Sequence, residues 1–221
     1  MASLSFVGVV KLFLVGFLCI CTSLSAETVQ SEQRTILVLG DSISAAYQID
    51  TESGWVSLLQ RKLETEGSDW RVVNASVSGD TTLDGLTRID ALLDEISPQI
   101  MILELGANDG LRGYPVESIR ENLINLIDRA QSHGAFVILA GMQLPPNYGH
   151  RYVGPFKEMY EELANTKNIG LIPFLMDGVA AVEELMQDDG LHPKAEGQPG
   201  LLANAWPVVQ KHIREFGESV D

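Results

Sequence analysis

Five short runs of apolar and β-branched residues, at 36–39, 71–75, 100–105, 136–140 and 170–174, recur along the chain with helix-period segments between them. Each run is nearly continuous in apolar character, as a strand must be when both faces of its sheet are covered, and this points to a parallel sheet. The helix-period segments lie at 55–66, 83–96, 116–133 and 156–166, with 201–216 closing the chain. In the third of them Leu123, Ile127 and Ala130 share one face, and Arg120, Glu121 and Asp128 fall off it. Strand and helix alternating five times predicts an α/β three-layer sandwich around a five-stranded parallel sheet with right-handed crossovers. Ligands in such sheets gather beyond the carboxyl ends of the strands, so the residues just after each run carry the functional information.

Residues 1–26 stand outside this pattern. They hold no Asp or Glu, one Lys at position 11, and an apolar run from Leu12 to Cys21 followed by Thr22-Ser23-Leu24-Ser25-Ala26. This reads as a secretory signal peptide cleaved near Ala26 or Ser25, which leaves 27–221 as a single domain with a periplasmic or secreted destination. The alternative is an uncleaved anchor, because the stretch from Phe6 to Ile20 approaches spanning length. Lipidation is disfavoured by Leu18 and Ile20, which precede the two cysteines. Both cysteines, Cys19 and Cys21, lie in this segment, so the mature chain has no thiol nucleophile, no disulfide and no Cys-ligated metal. It keeps 14 basic against 30 acidic residues, a formal charge of −16, which repels nucleic acids and anionic bilayers on average. No stretch after residue 26 is long and apolar enough to span a membrane.

Polar residues and glycines gather after the runs: Gly40-Asp41-Ser42, Ser78-Gly79-Asp80, Gly106-Ala107-Asn108-Asp109 and, near the C-terminus, Asp188-Asp189-Gly190-Leu191-His192-Pro193. A nucleophile needs an adjacent base and the base an orienting acid, roles that Ser42, His192 and Asp189 can fill. Asp189 and His192 are three apart, so one helical turn brings carboxylate and imidazole together; Asp188, four residues away, satisfies the spacing too. Donors for a developing oxyanion are the N–H of Ser42 at a helix start, the N–H of Gly79 and the Asn108 amide. Each residue also has a plainer reading: Asp41 and Ser42 as a helix cap, Gly79 and Gly106 as turn glycines, Asn108 and Asp109 as an Asx turn. His133, His150 and His212 show no comparable partners, and Trp55, Trp70 and Trp206 read as packing anchors. Two other functional classes fit parts of the pattern. One is metal-dependent phosphoryl transfer on Asp41, Asp80, Asp109 and Asp189, although Ile43 stands where such a site usually offers a second acid. The other is a non-catalytic binding protein on the same fold.

The block Gly40-Asp41-Ser42-Ile43 resembles the first block of the GDSL, or SGNH, hydrolase superfamily, whose four named residues would be Ser42, Gly79, Asn108 and His192, in the family's order. The stretches 73–81, 104–113, 144–149 and 186–193 are similar to one branch in particular, the bacterial periplasmic thioesterase I/protease I/lysophospholipase group, often labelled arylesterases. The resemblance implies a flavodoxin-like sandwich carrying a Ser42-Asp189-His192 triad, with the family pattern selecting Asp189 over Asp188. It also implies an oxyanion hole from Ser42, Gly79 and Asn108, a structural role for Asp109, and no metal or other cofactor. The implied substrates are small oxyesters and thioesters with aryl, fatty acyl or lysophospholipid groups, cleaved through an acyl-enzyme. The segment Gly110, Leu111, Arg112, Gly113, Tyr114 and Pro115 corresponds to a mobile substrate-side loop, and its composition fits a hinge with an apolar lid. Ile43 departs from the usual Leu, and Ala46 and Ala107 stand where the branch commonly has Gly. The extra methyl of Ala107, beside Asn108, bears on turn geometry and acyl preference.

Overall fold

In a computed structural model of the protein, described for residues 1, 2 and 33–218, the five apolar runs become five parallel strands. They are β1 (Thr35–Gly40), β2 (Arg71–Asn74), β3 (Ile100–Glu104), β4 (Phe136–Ala140) and β5 (Gly170–Ile172). Their order across the sheet is β2-β1-β3-β4-β5, the flavodoxin-like arrangement. The expected signal peptide and its cleavage site lie outside the described residues.

The central strands are the most apolar because they are covered on both faces. Ile36 to Leu39 on β1 and Ile100 to Leu103 on β3 are fully buried and pair in register from Ile36 with Ile100 to Leu39 with Leu103. Each such side chain contributes about 1.5–3 kcal/mol relative to an exposed one. The helices are α1 (Trp55–Thr65), α2 (Thr82–Ile96), α3 (Ala107–Leu111), α4 (Val116–Ser132), α5 (His150–Lys167) and α6 (Gln198–Glu218). Helices α1 and α6 pack together, and α2, α4 and α5 lie side by side, which gives the outer layers of the sandwich. Trp55 and Trp70 are buried anchors, and Trp206 packs partly against the core under the Lys62 ammonium. Among the described residues no helix is long and apolar enough to cross a membrane.

Local chemistry sets the helix starts. Thr81 and Asp84 form a reciprocal capping box on α2: the Thr81 hydroxyl accepts from the Asp84 N–H, and the Asp84 carboxylate accepts from the Thr81 N–H. Those Thr81 hydrogen bonds, against a small burial penalty, hold the Asp84 carboxyl below its usual range. Helix α5 begins six residues before the expected start and accommodates Pro155, and α3 falls where the sequence suggests only a turn. Sheet order reverses between β1 and β3, which opens a crevice at their carboxyl ends. Ser42 follows β1 and Asn108 follows β3, so both reach that crevice, and Gly79 follows β2 in the loop whose Asp80 carbonyl meets the Asn108 amide.

Candidate active site

Ser42 is not at a helix start, contrary to the sequence reading. Residues 42–48 wind through successive turns, with the Ala45 N–H on the Asp41 carbonyl at 2.9 Å and the Tyr47 N–H on the Ser42 carbonyl at 3.2 Å. Asp41 fixes the first turn by accepting the Ile43 N–H on Oδ1 at 3.0 Å. The path needs a left-handed residue at Ala46, φ 59°, which costs an L residue about 1–2 kcal/mol; this is one of the two positions where the similar branch has Gly.

His192 reaches Ser42 from the far end of the chain. Its loop is a β-type turn rather than a helical one: Met186 and Pro193 bridge antiparallel, the Gln187 N–H donates to the His192 carbonyl at 2.8 Å, and Gly190 takes φ 66°. Asp189 folds back on this turn, its Oδ1 accepting from the N–H groups of Leu191 (2.9 Å) and His192 (3.0 Å). Its Oδ2 lies 2.7 Å from His192 Nδ1, and His192 Nε2 lies 2.8 Å from Ser42 Oγ. A carboxylate on Nδ1 assigns the ring proton there and leaves Nε2 as the acceptor for the Ser42 hydroxyl. Burial pushes the Asp189 carboxyl up, but the Leu191 N–H, the His192 imidazole and the His192 N–H outweigh it and hold the group below its usual range. Asp188 makes no hydrogen bond or ion pair among the described residues, so the geometry separates the two aspartates that spacing leaves level.

The N–H groups of Ser42 and Gly79 donate to nothing among the described residues. Gly79 has φ 89° and Gly106 φ 113°, so both plain-turn readings hold. At Gly106 a Cβ would also stand 2.4 Å from the Tyr160 hydroxyl, which donates to the Leu105 carbonyl at 3.0 Å. Asn108 sits in the first turn of α3 with both amide hydrogens committed, to Asp41 Oδ2 and to the Asp80 carbonyl, each at 3.0 Å. Its neighbour Asp109 is buried and points to α2, accepting from the Thr82 N–H (2.9 Å) and hydroxyl (2.6 Å). Asp80 is paired with Arg88 at 2.8 Å. The four aspartates of the phosphoryl-transfer reading therefore hold four separate partners, and the described residues contain no group of three or more side chains that could ligate one metal ion.

A cavity of about 110 Å³ opens beside Ser42 and His192. Its walls are mostly apolar, from Ile43, Ala107, Leu111, Met142, Leu144, Pro145, Met176 and Leu191, with Asp41 and the Asn108 and Gln143 amides as further polar lining. Of the expected substrate loop only Leu111 reaches it. Gly110 is buried within α3, Tyr114 is exposed, and Pro115 precedes α4 as its cap. The loop is tied down at three points: Arg112 to the Gly79 carbonyl (3.0 Å), Tyr148 to the Leu111 carbonyl (3.0 Å) and Tyr152 to the Tyr114 carbonyl.

Sequence reasoning passes over two residues beside Ser42 and His192. Tyr47 lies against the His192 ring, centroids 4.5 Å apart, and restricts its swing. Glu104, at the end of β3, is fully buried under Asp41. Burial, with the Asp80 charge, drives the Asp41 carboxyl up to about 6 against the opposing Ile43 N–H, His192 charge and Glu104 hydrogen bond. His212, expected to lack a partner, has a carboxylate one, Glu215, at 2.6 Å; it stacks on Phe136 and, among the described residues, has no serine on its ring. His133 likewise lies 3.4 Å from Asp94.

Residues 38–198 match the model of the GDSL-like Lipase/Acylhydrolase family. Among curated proteins, the chain is 48% identical over 190 residues to "Esterase TesA" of Pseudomonas aeruginosa, covering 86% of this chain and 94% of that protein. It is 45% identical over 202 residues to an "Arylesterase" of Vibrio mimicus, covering 91% and 98%. It is 41% identical over 165 residues to "Thioesterase 1/protease 1/lysophospholipase L1" of Escherichia coli K12, covering 75% and 78%. A crystal structure of TesA superposes with a TM-score of 0.79 at 49% identity, over 80% of this chain and 99% of that one.

Proposed function

We propose that this chain, which belongs to the GDSL-like lipase/acylhydrolase family, is a serine esterase that cleaves carboxylic esters and thioesters through an acyl-enzyme. The observation that carries the reading is the continuous contact from Asp189 through His192 to Ser42, at 2.7 and 2.8 Å, at the edge of an apolar cavity. Ser42 Oγ attacks the substrate carbonyl carbon as its proton passes to His192 Nε2, and Asp189 stabilises the imidazolium. Charge that develops on the carbonyl oxygen is met by the N–H groups of Ser42 and Gly79 and by one Asn108 amide hydrogen released from the Asp80 carbonyl. His192 then protonates the departing alkoxide or thiolate, the acyl group stays on Ser42, and a water activated by the same imidazole frees it. The apolar cavity fits an acyl or aryl group, and the arylesterase and the thioesterase/lysophospholipase among the relatives support aryl ester, acyl thioester and lysophospholipid substrates for this chain. We further infer that residues 1–26 are a cleaved signal peptide and that 27–221 act as one domain in the periplasm or outside the cell.

The test is a series of p-nitrophenyl esters of increasing chain length, with a long-chain acyl-CoA and a lysophosphatidylcholine alongside, for wild type and Ser42→Ala. Turnover should vanish in the variant while its circular dichroism spectrum is kept, and an organophosphonate should label Ser42 of the wild type at one equivalent. Undiminished hydrolysis by Ser42→Ala would overturn the reading.

A further inference from the structure

The mechanism just described gives no part to the largest buried acid beneath it. Glu104 ends β3 directly beside Gly40 of β1, fully buried. Its Oε2 accepts from the Asp41 N–H at 3.2 Å and from the Ser44 hydroxyl at 2.7 Å. Ser44 Oγ in turn receives the Trp55 indole N–H at 3.2 Å, so its own proton is the one aimed at Glu104. Gly40 leaves the room for this arrangement, since a Cβ there would stand 2.6 Å from Oε2. Glu104 Oε1 is different: it is sealed from water and receives no donor. For an ionised oxygen that placement is costly, whereas a carboxylic acid O–H donates instead of receiving. The neighbouring acceptor is the carboxyl of Asp41, the residue whose N–H already sits on the other Glu104 oxygen and whose charge acts on Glu104. Burial first, and the Asp41 charge second, push the Glu104 carboxyl well above the usual range, the direction that favours the protonated form. The other titratable groups that act on this pair are Asp80, His192 and Tyr160. Among the described residues no lysine or arginine is bonded to either carboxyl.

We propose that Glu104 acts as a neutral carboxylic acid and is a positioning residue for ester hydrolysis: its O–H anchors the Asp41 carboxylate, and Asp41 holds the Asn108 amide as a pivot for oxyanion binding. The proposal rests on the esterase reading above. Asp41 has Oδ1 on the Ile43 N–H, in the turn that carries Ser42, and Oδ2 on the Asn108 amide. One anchored carboxylate therefore sets the nucleophile's turn and the oxyanion donor together. A substrate oxygen takes the Asn108 hydrogen that faces the Asp80 carbonyl, and the hydrogen on Asp41 stays in place as the amide reorients.

The experiment compares Glu104→Gln and Glu104→Leu with wild type, by kcat and KM on a p-nitrophenyl ester and by the rate of phosphonate labelling of Ser42. Gln offers an acceptor at one position and an N–H donor at the other, as the neutral acid does, and should keep kcat within roughly 3-fold. Leu offers neither, and should lower kcat by about 10-fold or more, with KM nearly unchanged and labelling slowed in parallel. A folded Leu variant with wild-type kcat, or a Gln variant that loses about 10-fold or more, overturns the proposal. If Glu104→Leu does not fold, carboxyl ¹³C NMR decides on the wild type, with the Glu104 signal assigned by its absence from Glu104→Gln. A protonated shift at neutral pH is expected, and an ionised one overturns it. Failure of the esterase reading would look different, as hydrolysis that does not depend on Ser42.

Discussion

Replacing Asp41 by Asn should change how stability depends on pH, because the native state holds the Asp41 proton more tightly than an unfolded chain does. Its carboxyl is raised from 3.8 to about 6, chiefly by burial. A raised acid binds protons in the folded state first, so its cost to stability is absent below the unfolded value, grows between the two values, and is complete above the folded one. The whole window is worth about 3 kcal/mol at 1.36 kcal/mol per unit, of which about 1.3 kcal/mol falls between pH 7 and pH 5. Wild type should therefore gain about 1.3 kcal/mol over Asp41→Asn on going from pH 7 to pH 5. Urea unfolding of both proteins at half-unit steps measures it, and the difference between the two curves cancels the titration they share. The carboxyls held low, Asp84 and Asp189, lose their contributions only as pH falls toward and below their unfolded value of 3.8, outside this window. A difference that stays flat from pH 5 to 7, or rises with pH, would refute the buried-charge argument.

Two further substitutions separate neighbours on α3. Asn108→Ala should lower kcat by roughly 10²- to 10³-fold with little change in KM, because an amide donor acts on charge that exists only in the transition state; a defect confined to KM would count against it. Asp109→Asn should act on the fold instead. Its amide can accept from the Thr82 hydroxyl or the Thr82 N–H but not both without turning its own NH₂ toward a donor, at a cost of about 1.5–3 kcal/mol, visible as a lower Tm with kcat/KM of the folded fraction largely kept.

What could be read from sequence was what sits at strand ends. Ser42, Gly79, Asn108 and His192 each follow an apolar run or a polar block that breaks the α/β rhythm, and strand-to-helix connections in such sheets are where side chains are free of packing duties. Periodicity also gave the five strands within a residue or two, since a core strand cannot alternate. Glu104 escaped because an acid in a run such as Ile100-Met101-Ile102-Leu103-Glu104-Leu105 reads as a strand terminus. Its burial depends on Gly40, sixty-four positions earlier and adjacent only through strand pairing. Tyr47 was hidden for the same reason, as its contact with His192 is made across the fold. The helical turn expected between Asp189 and His192 proved to be a β-type turn because i,i+3 spacing suits both, and Gly190 at positive φ selects the latter. Helix α5 runs through Pro155 and starts six residues ahead of the expected 156, because a single missing N–H near a helix beginning leaves few orphan groups, and the burial of Phe156, Met159 and Tyr160 carries the segment.

The hydroxyl of Ser42 and the imidazole that faces it are 150 residues apart in the chain. Among the described residues, Ser42 lies just past the first strand, and His192 precedes a short 3-10 turn and the last helix. On the proposed mechanism, a nascent chain exposes the serine early with nothing to activate it, and gains hydrolytic power only when the loop that holds His192 has closed against the turn after β1. Ester cleavage would then report that these two distant segments have both been made and have folded together.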